Sequence, residues 1–491
     1  MEGSNLFTAM SWRSRRVGFV SLVAVPILVM ALSPLAGATV RCVSASGSLS
    51  PSQAKQYACK PPLYTTISSA VAASSANDTI YVFNGTYTES VTIPSSLSGL
   101  SLIGVAWKGN NPVINAASLP NGLHDQASGV TIEGFTVENA NFEGILVEGA
   151  PASCPTGPSS CTPAVGPQIT NVTISYNVVT NNDLALSDET CPGAPVFEQD
   201  DCGEGLHLDG VAFSTVSYNL VNYNSGGILN TDETNSNHDN LISFNQVSNN
   251  DEDCGITLPS HPPNGDPANS GFAFGVFHDS IISNLIAYNL DAGVGIFAPT
   301  PGNASYNHLI AGNRIIGNGN PGVTYHAHAP GTNLNGTAIV NNIIQYNGAD
   351  PEPGAPAEGA GPADPTGIEI FASNDTTTPA VAPPIDARIE GNNINNETND
   401  IWVGAPNWAN CSALSLTAQC FAVSANLNNL TGGNVGVYNT GDPGNVIVNA
   451  TNDYWGCRSG PGTSYCSSAE GNVLTTPFLN SPSFVIGLAL P

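Results

Sequence analysis

The chain has 491 residues, and acidic residues outnumber basic ones by 38 to 10, which gives a formal net charge of −28. So acidic a chain is unsuited to nucleic acids and anionic membranes, and it repels polyanionic sugars unless a cation bridges them. We therefore predict that neither nucleic acid nor an anionic membrane is among its partners.

Residues 1 to 38 have the pattern of an export signal. A basic start precedes an apolar run from Val17 to Leu32, and Ala36-Gly37-Ala38 offers small residues for cleavage. No other run approaches membrane-spanning length. We therefore predict a secreted, extracellular protein, which we expect to be a monomer without membrane contact after cleavage. Its mature part carries seven basic and 37 acidic residues, a net charge of −30.

The eleven cysteines all follow this segment, and ten of them lie in close pairs. Spacings of 7 to 17 residues around loop-like segments are typical of local disulfides in an exported protein. The predicted pairs are Cys42–Cys59, Cys154–Cys161, Cys191–Cys202, Cys411–Cys420 and Cys457–Cys466. Cys254 is left over, and we interpret it as a buried small hydrophobe rather than a nucleophile.

The domain opens with a stretch whose pattern changes from helical to extended. Residues 64 to 71 are amphipathic, as in a short helix, and residues 78 to 82 follow the period of two of a strand. A solenoid needs a cap over its first coil, because an open end exposes core and strand edges. We therefore predict a disulfide-linked segment over 39–62, a helically capped β-domain over 63–408, and irregular last coils with a C-terminal cap over 409–491.

A short pattern recurs between Gly205 and Asn347, in which two asparagines stand five residues apart. A β-like piece precedes each pair and, in most units, a glycine-led apolar piece follows it, which makes three strands per unit. The first asparagines of successive pairs are 26, 39, 29 and 29 residues apart. A strand-only repeat of this size predicts an all-β solenoid, a single-stranded right-handed parallel β-helix of about ten coils. The pairs are Asn219–Asn224, Asn245–Asn250, Asn284–Asn289, Asn313–Asn318 and Asn342–Asn347.

Two other repeat folds fit this pattern poorly. A β-propeller blade needs roughly 40 or more residues and four strands, and a leucine-rich repeat needs a leucine scaffold. The asparagines themselves have a structural explanation, because stacked Asn side chains hydrogen-bond along a ladder of strands. We therefore assign them no catalytic role.

The opening also carries a family resemblance. Thr66-Ile67, Ala70-Val71, residues 78–82 and Gly85-Thr86-Tyr87-Thr88-Glu89 resemble the first coil of right-handed parallel β-helix proteins of the pectate-lyase-like superfamily. The asparagine-rich coils are similar to the repeat region of periplasmic copper-insertion proteins of that fold. Asn452 to Gly456, followed by Gly460-Pro461, resembles a common closing motif. The resemblance covers residues 63 to 480 and implies the fold, whereas activity varies within it.

The active-site motifs of the superfamily are missing or partial. The chain lacks the Arg- and Asp-bearing cleft motifs of pectate lyases and polygalacturonases, and it lacks the later Gln and Asp motifs of pectin methylesterase. Phe277-His278-Asp279 is a partial likeness to mannuronan epimerases. The resemblance therefore leaves the reaction open.

Side chains at the ends of the glycine-led strands are the candidates for catalysis. Parallel strands stack about 4.8 Å apart, so acids and a histidine from three successive coils would share a groove about 10 Å long. Paired carboxylates serve glycosidic cleavage, and a histidine with a carboxylate serves proton transfer. We predict catalytic roles for Asp209, Asp232, Glu233, His261 and His326.

This prediction depends on a strand register with Leu206, Ile256, Val294, Val323 and Ile368 pointing inward. The outer column then reads Asp209, Pro259, Phe297, His326 and Phe371, with Thr231 or Asp232 in the intervening coil. Substrate contacts are predicted for His207, Phe297, His328, Glu369 and Phe371. The alternative is that the acids are turn residues, since turns favour Asp for local backbone hydrogen bonds.

Two acidic runs precede strands of the same group. Gathered carboxylates are the ligands that calcium prefers, so calcium is the cofactor that this set would hold. Solvated loop charge is the alternative, because no ligand-spacing loop is recognisable. The candidate ligands are Asp200, Asp201, Glu204, Asp251, Glu252 and Asp253.

Two functions fit these observations. The first is a secreted polysaccharide-acting enzyme, a hydrolase, lyase or uronate epimerase, that uses the carboxylate and histidine groove. The second is a non-catalytic cell-surface or glycan-binding β-solenoid. In both cases the partner is a polysaccharide or cell-surface glycan.

Overall fold

The structure is a computed structural model that describes residues 38–149, 167–185, 202–262, 273–327, 331–350, 361–372, 385–404, 421–440, 447–463 and 465–483. Several predictions lie outside these residues. They are the export signal before Ala38, the cysteine pairs 154–161 and 411–420, and the site residues Asp200, Asp201 and His328.

The described residues form two short helices, one 3-10 turn and a long series of strands. The helices are α1 (Pro51–Gln56) and α2 (Ile67–Ala72), and the 3-10 turn is Ser95–Leu97. The strands are, in chain order, β1 (Val40–Val43), β2 (Thr79–Phe83), β3 (Thr86–Tyr87), β4 (Val91–Ile93), β5 (Ser101–Val105), β6 (Val113–Asn115), β7 (Leu123–Asp125), β8 (Thr131–Glu133), β9 (Thr136–Glu138), β10 (Ile145–Glu148), β11 (Ile169–Thr170), β12 (Thr173–Ser175), β13 (Val178–Thr180), β14 (Leu206–Asp209), β15 (Val211–Ala212), β16 (Thr215–Ser217), β17 (Leu220–Asn222), β18 (Ile228–Thr231), β19 (Asn237–His238), β20 (Leu241–Ser243), β21 (Gln246–Ser248), β22 (Ile256–Pro259), β23 (Val276–Phe277), β24 (Ser280–Ile282), β25 (Leu285–Ala287), β26 (Val294–Ala298), β27 (Ser305–Tyr306), β28 (Leu309–Ala311), β29 (Arg314–Ile316), β30 (Val323–Ala327), β31 (Thr337–Val340), β32 (Ile343–Gln345), β33 (Thr366–Ala372), β34 (Ile385–Glu390), β35 (Asn393–Asn395), β36 (Asn399–Gly404), β37 (Phe421–Asn426), β38 (Asn429–Thr431), β39 (Val435–Asn439), β40 (Val448–Asn449), β41 (Ser468–Glu470) and β42 (Val473–Leu474).

These strands form four parallel sheets. Sheet A has the order β1-β2-β5-β8-β12-β16-β20-β24-β28-β31-β34-β37-β40-β42, and sheet B has the order β3-β6-β9-β13-β17-β21-β25-β29-β32-β35-β38. Sheet C has the order β4-β7-β10-β14-β18-β22-β26-β30-β33-β36-β39-β41, and sheet D is the shorter β11-β15-β19-β23-β27. Successive coils therefore add one strand to each long sheet. The predicted right-handed parallel β-helix is confirmed.

The core runs along the axis of this helix. On sheet C the inward column pairs Leu206, Ile228, Ile256, Val294, Val323 and Ile368 in register. All six side chains are buried in the continuous apolar core. The same register places Thr231 beside Asp209, which resolves the one-residue ambiguity in favour of Thr231.

The predicted asparagine ladder is confirmed, and the helix has two of them. In the first, Asn177, Asn219, Asn245, Asn284, Asn313, Asn342, Asn392 and Asn428 each donate their side-chain N–H to the side-chain oxygen of the next, and the last partner is Asp453. In the second, Asn182, Asn224, Asn250, Asn289, Asn318 and Asn347 do the same, and Glu397 ends the row. Buried amides thus fix the strand register at two corners of the coils between residues 177 and 397, and at one corner as far as residue 453.

The ends of the domain extend beyond the central repeat. Strand β1 pairs with β2, so sheet A already begins within the segment predicted to precede the domain. Helix α2 buries Ile67, Ala70 and Val71 in the same core. Strands β37 to β42 continue the sheets after residue 409. In the part of the chain that the structure describes, no helix is long and apolar enough to cross a membrane.

The cysteines behave largely as the spacing predicts. Cys42–Cys59 and Cys457–Cys466 are disulfides. Cys202 is also disulfide-bonded, while its predicted partner Cys191 lies outside the described residues. Cys254 is free and buried, as expected, and burial followed by the charges of Asp291 and Asp253 raises the pKa of its thiol.

Candidate functional site

The outward face of sheet C carries the predicted site residues. Side chains alternate along each strand, so His207 and Asp209 of β14 point away from the core that holds Leu206 and Leu208. Of the residues predicted to line the groove, Asp209, Asp232 and Glu233 are buried, at most 2% exposed. A ligand in solvent would therefore contact a less buried neighbour, such as His261 beside Glu233, before these three acids.

His207 on β14 is buried between Thr231 and Glu143. Its Nε2 lies 2.9 Å from Oγ1 of Thr231, and its Nδ1 lies 3.6 Å from Oε1 of Glu143. Burial by itself lowers the pKa of His207, but Glu143 together with the charges of Asp209 and Glu233 raises it to about 10. His207 is therefore a fixed positive charge rather than a proton acceptor at neutral pH.

Asp209 and Asp232 both hold the backbone of neighbouring residues. Oδ1 of Asp209 accepts hydrogen bonds from the N–H groups of Glu233 (2.9 Å) and Thr234 (3.1 Å). Asp232 accepts from the N–H of His261 at 2.8 Å, from the hydroxyl of Ser260 at 3.0 Å and from the N–H of Gly275. Burial raises the pKa of Asp209 to about 6 and that of Asp232 to about 7.

Glu233 and His261 form a pair with one partly exposed member. Nδ1 of His261 lies 3.3 Å from Oε1 of Glu233, and the His261 side chain is 20% exposed while that of Glu233 is 2% exposed. Their backbone N–H groups are those that Asp209 and Asp232 bind. Four of the predicted catalytic residues, Asp209, Asp232, Glu233 and His261, thus lie together.

Sequence reasoning missed three members of the same face. Glu143 precedes β10, and its Oε2 accepts a hydrogen bond from the N–H of Glu204. Nε2 of His124 lies 2.8 Å from Oε1 of Glu148, and the His124 side chain is 19% exposed. Glu148 pairs with Asp209 in the strand register, so extending the outer column by one coil toward the N-terminus would have found it.

His326 does not join the catalytic group, contrary to the single site that was predicted. Its strand β30 is four strands away from β14 and two from β22 in sheet C, which places it about 19 Å from Asp209 and about 10 Å from His261 along the axis. Its Nε2 lies 2.9 Å from Oε2 of Glu369 and 3.6 Å from Oδ2 of Asp350. Phe297 and Phe371 pack edge-on against its ring at 5.4 and 5.3 Å. Of the predicted substrate contacts, Phe297, Glu369 and Phe371 therefore belong to this second group, whereas His207 belongs to the first.

Of the predicted calcium ligands, the structure describes Glu204, Asp251, Glu252 and Asp253, and no set of neighbouring ligand atoms among the described residues contains all four. Asp251 and Glu252 are exposed. The burial of Asp183, followed by the charges of Asp251 and Glu252, raises the pKa of Asp183 to about 6. Asp253 lies instead with Cys254 and Asp291. Among the described residues, two groups have ligand atoms within 4.8 Å of one another, Asp253 with Cys254 and Asp291, and His326 with Asp350 and Glu369. Neither group contains Glu204, Asp251 or Glu252.

Basic side chains are nearly absent from this part of the sequence. Between residues 109 and 387, Arg314 is the single Lys or Arg, and it lies exposed on β29 of sheet B. The next one, Arg388, pairs with Glu390 on sheet A. The buried acids of sheet C therefore have histidines, protons or a bound cation as the means of charge balance.

A third histidine and acid constellation lies inside the core. Nε2 of His308 lies 3.1 Å from Oγ of Ser305, and its Nδ1 lies 4.0 Å from Oδ2 of Asp279. All three side chains are at most 1% exposed. Burial, followed by the charge of His278, lowers the pKa of His308 to about 3, so it is neutral. This set is internal structure, because no substrate reaches it.

No protein-family model and no curated protein matches the chain. Among solved structures, the Dettilon tailspike protein aligns with a TM-score of 0.41 at 12% identity over 77% of this chain and 65% of its own, so the chain spans just under two thirds of that protein. A mannuronan C-5 epimerase A-module from Azotobacter vinelandii gives a TM-score of 0.40 at 16% identity over 69% and 85% of the two chains. A mannuronic acid specific family 6 polysaccharide lyase from human gut microbiota gives 0.45 at 10% identity over 84% and 86%. The strand order and register by themselves establish that this chain is a parallel β-helix, the fold predicted from its repeat and from its likeness to the pectate-lyase-like superfamily.

Proposed function

We propose that this chain is a secreted enzyme that acts on a polysaccharide through the Glu233 and His261 pair. The observation that carries the proposal is a partly exposed imidazole whose Nδ1 lies 3.3 Å from a buried carboxylate. Hydrolysis, elimination and epimerisation of a sugar each require a proton to be removed or delivered, and a histidine oriented by a carboxylate does this near neutral pH.

The roles of the individual groups follow from their contacts. Glu233 at Nδ1 favours the tautomer protonated there and stabilises the imidazolium, so we assign proton exchange with substrate to Nε2. Asp209 holds the backbone of Glu233, and Asp232 holds the backbone of His261. We therefore assign both aspartates to positioning, although the sequence pattern predicts that they are catalytic. His207 supplies fixed positive charge beside them.

The substrate class follows from shape and charge. Sheet C repeats along the helix axis about every 4.8 Å, which favours an elongated ligand. No Lys or Arg occurs between Lys108 and Arg314 to bind a substrate carboxylate. We therefore expect neutral polysaccharides to be the better substrates, and uronates to require a bridging cation.

The test compares His261→Gln and Glu233→Gln with His238→Gln. His238 is a matched control, because its Nδ1 lies 2.8 Å from Asp239 and its side chain is 17% exposed, but it lies on sheet D. Turnover of neutral and uronate polysaccharides is followed by new reducing ends, unsaturated products and proton NMR. We expect kcat/KM to fall by about 100-fold or more in the two site variants and to be unchanged in the control. Full activity of His261→Gln contradicts the assignment.

A second candidate is a glycan-binding solenoid without turnover. It is favoured by Asp232, whose carboxyl is saturated by three donors in the manner of a turn residue. Glycan-array binding by the wild type and by His261→Gln alike, with no product from any substrate, supports this candidate and rules out the enzyme.

A further inference from the structure

His326, Asp350 and Glu369 converge from three separate segments of the chain. His326 is on β30, Glu369 is on the adjacent strand β33, and Asp350 lies in the connection between β32 and β33. One ligand atom from each lies within 4.8 Å of the others, and all three residues are at most 8% exposed. The three residues are far apart in the sequence, and the fold brings them together.

The spacing of these atoms suits a metal ion. Ligand bonds of about 2.1 Å place neighbouring ligand atoms about 3.0 Å apart in an octahedral site and about 3.4 Å apart in a tetrahedral one. Nε2 of His326 lies 2.9 Å from the Glu369 oxygen and 3.6 Å from the Asp350 oxygen. One imidazole nitrogen with two carboxylate oxygens is a donor set for divalent transition metals such as zinc or manganese.

The surroundings hold two of these groups in place. Thr324 donates its hydroxyl to Oε2 of Glu369 at 2.7 Å, which orients that carboxylate. Gly361 lies so close that an added Cβ would be 2.5 Å from the Asp350 carbonyl oxygen and 2.9 Å from Oε1 of Glu369. The backbone at Gly361 therefore lies directly against the Glu369 carboxylate and the Asp350 main chain.

Charge also suits a cation. Two carboxylates and one imidazole make an acidic cluster, and the sequence offers no Lys or Arg between Arg314 and Arg388. Burying charged groups is costly, and a bound divalent ion would offset that cost.

We propose that His326, Asp350 and Glu369 bind one divalent transition metal ion. This site is independent of the Glu233 and His261 pair, and it differs from the calcium site expected from the acidic runs. The second cluster, Asp253 with Cys254 and Asp291, is the competing location for a metal, and its thiol gives it a distinct spectrum.

The test uses the whole chain after removal of metal by a chelator. Cobalt(II) is titrated and its visible absorption recorded, and zinc and manganese are then bound in equilibrium dialysis with metal analysis. The variants are Glu369→Gln and Asp350→Asn, with Cys254→Ser as the matched control for the competing cluster. Circular dichroism and the thermal midpoint without metal check that each variant is folded.

We expect one ion per chain, d–d absorption without a thiolate charge-transfer band, and a thermal midpoint raised by metal. Removing a group that merely orients a ligand costs 10- to 100-fold in affinity, so loss of a direct ligand should raise Kd by more than about 100-fold in Glu369→Gln and Asp350→Asn. Cys254→Ser should bind as the wild type does. If Glu369→Gln does not fold, the affinity of Asp350→Asn decides the test, because the Asp350 side chain is more exposed and its replacement disturbs the fold less.

Three results overturn the proposal. They are absence of binding to the wild type at micromolar metal, equal affinity in the folded wild type and Asp350→Asn, and a thiolate charge-transfer band that Cys254→Ser abolishes. The last result places the metal at Cys254 instead.

Discussion

Replacing Asn284 by alanine removes one rung from the first asparagine ladder. Its side-chain oxygen accepts from the backbone N–H of Asn245 at 2.8 Å and from its side-chain N–H at 3.1 Å. Its own N–H groups donate to the Ile242 carbonyl at 2.9 Å and to the Asn313 side-chain oxygen at 3.1 Å. All of these groups lie in the interior.

The cost follows from the partners that are left behind. Four buried hydrogen bonds are lost, each worth about 0.5–1.5 kcal/mol net, and a buried group left without any partner costs about 1–3 kcal/mol. The Asn313 oxygen keeps the backbone N–H of Asn284, and the Asn245 side chain keeps the Val216 carbonyl. We therefore expect a destabilisation of about 4 kcal/mol, at the upper end of what single substitutions cause. Asn284→Asp keeps the shape and the acceptor but turns two donors into an acceptor, so we expect it to be nearly as damaging at neutral pH and milder in acid.

The assay is hydrogen exchange by mass spectrometry together with denaturant unfolding, because coils of a solenoid can open locally. Amides of residues 242 to 245 and 281 to 284 should exchange faster in Asn284→Ala. The control is Asn341→Gly, an exposed turn residue with a positive φ of 56° that glycine adopts freely, and it should shift stability by less than about 0.5 kcal/mol. Unchanged exchange and an unchanged unfolding midpoint in Asn284→Ala would refute the view that the ladder holds the register.

Two further predictions concern the packing and the buried acids. Gly255→Ala should destabilise the central coils by several kcal/mol in denaturant unfolding, since a Cβ there would be 2.8 Å from the Gly293 carbonyl oxygen and 2.6 Å from the Asn289 amide nitrogen; a wild-type midpoint contradicts this. Burial raises the pKa of several carboxyls to about 7 in the folded chain, so they hold protons between about pH 4 and 7 that the unfolded chain has lost, and stability should rise as pH falls through that window. We expect the thermal midpoint to be higher at pH 5 than at pH 8 by on the order of 5 °C. The depressed pKa of His308 acts in the opposite direction, because the unfolded chain would bind a proton there in acid. A lower thermal midpoint at pH 5 than at pH 8 would contradict the prediction. The carboxyls are those of Asp232, Asp279, Asp291, Glu397 and Asp453.

The sequence carried the fold because the fold is periodic. Two asparagines five residues apart recur where the chain turns between sheets A, B and C in the central coils, and each meets its counterpart one coil away to satisfy its amide. Variable insertions change the spacing between coils but leave these corners intact. The inward column of sheet C and the structural role of the asparagines could therefore be predicted, and the strand register to within the one residue that separates Thr231 from Asp232.

The site was predicted only in part, because its contacts are not periodic. The register brings Asp209 and Thr231 side by side, but the backbone hydrogen bonds that turn Asp209 and Asp232 into positioning groups depend on the local path after each strand. Glu143, His124 and Glu148 were missed because two of them lie in coils that precede the clear repeat and the third lies before its strand. The spacing of residues in the sequence likewise did not predict that Asp209, Asp232 and Glu233 are buried.

The amino-acid sequence by itself thus determined a stacked parallel β-helix, its ladder residues and the four neighbours Asp209, Asp232, Glu233 and His261, since hydrogen-bonded repeats allow one alignment. Tertiary structure alone decided that His326 lies with Asp350 and Glu369, about 19 Å along the axis from Asp209 and about 10 Å from His261. It also decided that His261 is more exposed than Glu233. The physical reason is that strand stacking is set by local periodic contacts, whereas the reach and exposure of a side chain depend on connections of irregular length.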